Sequence, residues 1–150
     1  MDEKLQIEKA LGELSQIIDD NHAEHELQSW FENNPVVFVA LGYSRFIAHP
    51  RLSLSGSEFI PDFMAQNAIG LWEIFEIKTA DANILKNTER RHAFFSSTES
   101  NLSQCREYSR AFFDAACRSK FNNDYDTTCH KTPDVTMVVG RNDPTQNPKT

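Results

Sequence analysis

Three side chains carry the chemistry in this sequence: Asp62 in Phe59-Ile60-Pro61-Asp62-Phe63, then Glu76 and Lys78 in Trp72-Glu73-Ile74-Phe75-Glu76-Ile77-Lys78. Two carboxylates offer hard oxygen ligands to Mg²⁺ or Mn²⁺ and leave coordination positions for water and a phosphate oxygen. A lysine beside them can orient a nucleophile or offset developing negative charge. Each piece alone is ordinary, since an ExK on a strand is commonly a solvated sheet face and Pro-Asp is commonly a turn. Together they suit phosphodiester hydrolysis, provided that the fold brings them to one place.

Strand geometry decides whether it does. Alternate side chains of a strand share a face, so Glu76 and Lys78 point one way and Glu73, Phe75 and Ile77 the other. The turn-prone segment Gln66-Asn67-Ala68-Ile69-Gly70 joins the two motif segments, 58–65 and 71–78, into a hairpin. A turn centred on Ile69 sets Asp62 opposite Glu76, and one shifted by half a residue sets it opposite Phe75. Only the first register brings the carboxylates together, and the sequence leaves both open.

The remaining elements form the frame. Ile7, Ala10, Leu11, Leu14, Ile17 and Ile18 recur at helical spacing. A second helix carries Leu27, Trp30 and Phe31 and ends at Asn33-Asn34-Pro35. On it, His22, His25 and Glu26 have metal-compatible spacing but are read as a polar face. Residues 43–54 alternate as a strand in which Pro50 suggests an edge or a bulge, 81–97 read as a loop with a helical turn, 98–120 as one helix, and 134–140 as a buried strand. The expected order is α-α-β-β-β-α-β, an α/β domain with a mixed central sheet flanked by helices. Its expected extent is 1–141, with acidic helices over 1–34, a catalytic core over 43–140 and a polar tail over 142–150.

Composition bounds the possibilities. A chain of 150 residues makes one domain, and 39% hydrophobic with 25% charged residues is a globular profile. No apolar run reaches the ~20 residues of a membrane span, and the acidic start is unlike a signal peptide, so a cytoplasmic location is expected. Three cysteines without a CxxC pair argue against a disulfide framework or a structural zinc site. The net charge of −7 is concentrated in residues 1–34, and the remaining residues sum to zero. A weakly basic stretch, 86–120, holds Arg90, Arg91, Arg106 and Arg110, so the local field suits a polyanion better than the total does.

This arrangement resembles the PD-(D/E)xK nuclease superfamily, with Pro61-Asp62 as its first motif and Glu76-Ile77-Lys78 as its second. The resemblance implies that Asp62, Glu76 and the Ile77 backbone carbonyl bind the metal and that Lys78 serves the attacking water. It also implies a catalytic glutamine on the following helix, Gln104, supported by Tyr108 one turn on, and an acid on the first core helix, for which Glu32 is the candidate. More closely, the chain is similar to the nuclease domain of the Shedu anti-phage defence proteins. That likeness rests on Phe31-Glu32-Asn33-Asn34-Pro35, Ile60-Pro61-Asp62-Phe63, Glu76-Ile77-Lys78 with Gln104 and Tyr108, and Val138-Val139-Gly140-Arg141, and spans about residues 24–141. It implies DNA as partner, a divalent metal as cofactor and a homo-oligomer as assembly.

Lesser candidates are Arg106, Arg110, Arg90 and Arg91 as contacts to the nucleic-acid backbone, and His92 beside them. Two other functions compete with the metal-dependent endonuclease. One is a nucleic-acid- or protein-binding module that keeps the fold without the activity, which predicts splayed or blocked carboxylates. The other is a glycosidase-like acid–base pair of Asp62 and Glu76, which Lys78 disfavours because a general acid needs a raised pKa.

Overall fold

In a computed structural model, the described residues are 2–20, 22–82, 84–87 and 92–139. Three helices come first: α1 (Glu3–Asp19), α2 (Glu24–Asn33) and α3 (Val36–Ala40). Strands β1 (Tyr43–Ala48), β2 (Leu52–Leu54), β3 (Ser57–Phe59), β4 (Phe63–Asn67), β5 (Trp72–Ile77), β6 (Leu85–Asn87) and β7 (His92–Phe94) follow, then α4 (Ser96–Ala111), α5 (Ala115–Asp124) and β8 (Asp134–Val138). The main sheet runs β1-β4-β5-β8, with β5 and β8 parallel and the other pairs antiparallel. The mixed α/β architecture is as expected, but the element order is richer in four places.

The apolar run Val36–Ala40, which has no polar face to reveal a period, is a short helix. The expected first strand breaks at His49-Pro50, where His49 adopts φ 48°, and the expected second breaks at Ile60-Pro61-Asp62, so β2 and β3 form a separate hairpin. Residues 81–97, read as a loop, contain the β6–β7 hairpin. The expected single helix over 98–120 is two: α4 stops near Phe112, and the Asp114 carboxylate accepts the Cys117 N–H at 2.8 Å to start α5. Ala115 and Ala116, at the start of α5, are exposed.

Side-chain alternation gives the main sheet two different faces. Met64, Trp72 and Ile74 pack with Tyr108, Ala111, Phe112, Cys117 and Phe121 of α4 and α5. Phe63, Ala65 and Ile77 pack with Leu27 and Phe38 of α2 and α3. All three cysteines are free, buried thiols. No helix among the described residues is long and apolar enough to cross a membrane.

Candidate metal centre

A tight turn settles the question left open by the sequence. The Asn67 side chain accepts the N–H groups of Ile69 and Leu71 at 3.2 and 3.0 Å, and Gly70 takes φ 85°, a conformation that favours glycine. This turn pairs Phe63 with Phe75 and Met64 with Ile74. One step beyond Phe63, the same register carries Asp62 opposite Glu76. Asp62 and Glu76 therefore continue the face on which Met64 and Ile74 are fully buried, and the apolar row ends in two acids.

Both are buried, at 8% and 3% exposure. One Asp62 oxygen accepts the Ile77 backbone N–H at 2.7 Å and the other accepts the Gln28 amide at 2.6 Å. Lys78 donates to Glu76 Oε1 at 2.9 Å, and its ammonium also lies 3.4 Å from Glu24. The second oxygen of Glu76, Oε2, is buried and has no hydrogen-bond partner among the described residues. The Tyr108 hydroxyl lies against the Glu76 carboxylate and interacts with it, while accepting from Gln104 at 2.6 Å and lying 3.5 Å from the Ile60 carbonyl.

Burial dominates the electrostatics. It pushes the Asp62 carboxyl up to about 6, against the lowering effect of the Ile77 N–H, with the neighbouring Glu76 charge adding to the rise. Burial also lifts the Tyr108 hydroxyl well above the ordinary phenol range, helped by Glu76. For Lys78 burial acts to lower the pKa, but the carboxylates of Glu76, Glu24 and Asp62 outweigh it and hold the ammonium charged.

Helix α2 supplies what sequence reasoning missed. Glu24 and Gln28 stand one turn apart and reach Lys78 and Asp62 respectively. Their i,i+4 spacing was the available signal, but only the tertiary placement of α2 over the strand ends gives it meaning. Glu32, one further turn along, pairs with His49 at 2.8 Å, and the His49 N–H donates to the Asp62 carbonyl at 2.9 Å. Glu32 thus sits behind Asp62 rather than with Lys78.

Helix α4 brings Gln104 and Tyr108 to the site together. At ~100° per residue, Arg106 and Arg110 lie ~200° beyond those two, on the far side of α4, and both are exposed. Arg90 and Arg91 lie outside the described residues, as does the side chain of His92.

The donor set fits a hard divalent cation. Carboxylate oxygens prefer Mg²⁺ or Mn²⁺, and Glu76 Oε2 is a buried oxygen that such an ion would satisfy. Among the described residues no three His, Cys, Asp or Glu side chains are grouped to hold a metal. Asp62 and Glu76 are the carboxylates here that could offer oxygens to such an ion, with water completing the shell, as is usual for Mg²⁺.

The family model described as Shedu protein SduA, C-terminal, matches residues 21–149. The chain belongs to this family. The match takes in every residue of the centre just described, from Glu24 on α2 to Tyr108 on α4. No curated protein and no solved structure matches the chain.

Proposed function

We propose that this Shedu-family chain is a metal-dependent endonuclease that hydrolyses DNA phosphodiester bonds in anti-phage defence, on a PD-(D/E)xK-type core. The observation that carries this reading is the buried Glu76, with one oxygen on Lys78 and the other without a partner among the described residues, beside Asp62, the residue that leads into β4. A fully satisfied pair of acids would suit a structural role. A buried carboxylate oxygen left open costs folding free energy and suits a ligand that arrives later.

When bound, Mg²⁺ or Mn²⁺ lowers the pKa of a coordinated water and polarises a phosphate oxygen. The protein's own groups then have distinct tasks. The Ile77 N–H and the Gln28 amide fix the orientation of Asp62, and Lys78, held by Glu76 and Glu24, keeps a positive charge where the phosphorane develops negative charge. Lys78 also orients the attacking water, whose oxygen bonds to phosphorus as the bond to the leaving oxygen breaks. Gln104, braced by Tyr108, closes the side towards α4.

The test is cleavage of plasmid and linear DNA with Mg²⁺ or Mn²⁺, against EDTA and against Lys78→Ala. Cleavage that needs both metal and Lys78 is the expected result. Folded protein that leaves DNA intact in both metals would overturn the proposal and favour a binding module with a nuclease-like fold.

A further inference from the structure

We propose that the cleft beside Lys78 takes a single unstacked nucleobase bearing an exocyclic amino group, next to the phosphate that is cut. This inference rests on the nuclease reading for the identity of the polymer. The cleft measures about 500 Å³ and lies where the starts of α2 and α4 meet the ends of β5 and β8; among its lining residues are Glu24, Lys78, Asp81, Phe95, Asn101 and Val139. Its size is that of a small-molecule pocket, and a duplex does not enter such a space with its bases stacked.

Charge decides which part of a nucleotide goes in. Glu24 and Asp81 contribute two carboxylates, and the Lys78 ammonium is already held by Glu76 and Glu24. Among the described lining residues the charge is net negative, which disfavours a phosphate inside the cleft and leaves a neutral base unaffected. Phe95 and Val139 provide apolar wall for the flat face of a base, and base–aromatic stacking is favourable for any base. The carboxylates accept only, so they favour the amino group of cytosine, adenine or guanine, and the Asn101 amide serves the ring edge. Thymine offers only its N3–H, flanked by two carbonyl oxygens that the carboxylates repel, so it gains the stacking but a weaker carboxylate contact than an amino group gives. The phosphate 5′ or 3′ to the held base is then left at the mouth of the cleft, where Lys78 stands.

The experiment measures binding of labelled oligodeoxycytidylate and oligothymidylate of equal length to the full chain in EDTA, by fluorescence anisotropy. The cytidylate should bind about fivefold more tightly. Phe95→Ala should weaken both by about fivefold or more, with Phe95→Trp retaining affinity. Asp81→Asn should erase the preference for cytidylate without weakening thymidylate. Equal binding of the two oligomers, unchanged in Phe95→Ala and Asp81→Asn, would overturn the base cleft. Adding Mg²⁺ to the same oligomers separates the two claims. Cleavage without base-selective binding leaves the nuclease and removes the cleft, and base-selective binding without cleavage does the reverse.

Discussion

Strand β5 carries two glutamates three residues apart, on opposite faces, and they are treated differently. Glu73 faces the aromatic side, where Tyr43 donates to one oxygen and Thr136 to the other. Burial and that carboxylate push the Tyr43 hydroxyl up to about 12, so it stays a donor. Glu76 is more deeply buried, yet one of its oxygens has no partner among the described residues. A carboxylate with both oxygens satisfied ties strands β1, β5 and β8 together. One that is left open, beside a buried aspartate and a charged lysine, is placed for a ligand. Side-chain chemistry is identical, so the difference lies in what the sheet's two faces bring to each end of the strand.

Activity should separate the two glutamates most widely. Glu76→Gln should lower DNA cleavage by at least about a hundredfold, on the scale seen when one electrostatic contact is removed from a reacting centre. Glu73→Gln should leave the rate within about threefold and cost on the order of 1 kcal/mol of stability, read by urea denaturation. Comparable losses of rate in both variants would show that the two glutamates do not differ in role.

The apolar part of the same face gives the next effect. Ile74, fully buried two residues before Glu76 on the same face, packs in the cluster shared by α4 and α5. Ile74→Ala should destabilise by about 2–5 kcal/mol in the same denaturation experiment.

Asp62 sharpens the contrast through pH. Its pKa of about 6 in the folded chain exceeds the value of ~3.9 for a free aspartate, so folding opposes its ionisation. The resulting penalty is absent below about pH 4, grows between pH 4 and 6, and is complete above pH 6. In metal-free buffer, Asp62→Asn, which keeps only one of the two acceptor oxygens, should therefore be less costly at pH 8 than at pH 4, by up to about 3 kcal/mol. Protons compete with the cation for the same oxygens, so metal affinity should fall as pH drops through about 6. A variant that destabilises equally at both pH values would contradict this account of Asp62.

The smallest expected effect concerns Arg106 and Arg110, on the far side of α4. If they touched DNA phosphates, removing both would flatten the dependence of log affinity on log salt by about two. Placed away from the site, Arg106→Ala/Arg110→Ala should leave that slope unchanged.

Much of the centre was legible because strand chemistry is local. The period of two put Glu76 and Lys78 on one face, and Asn67 with Gly70 marked a turn whose register falls on the alternative that joins Asp62 to Glu76. Gln104 and Tyr108 could be paired by their one-turn spacing alone. What escaped depends on contacts distant in sequence. Glu24 and Gln28 look like any exposed helix positions until α2 lies over the strand ends. Val36–Ala40 has no polar face to reveal its helical period, and the break between α4 and α5 was signalled only by Asp114, a helix-capping residue hidden inside a continuous helical pattern.

The most direct test of the central claim is calorimetric titration of Mn²⁺ into the metal-free chain and into Glu76→Gln, Asp62→Asn and Glu73→Gln. Binding is expected in the parent chain and in Glu73→Gln, and its loss in Glu76→Gln and Asp62→Asn. Undiminished binding in Glu76→Gln, or no binding by the folded parent chain, would contradict that claim.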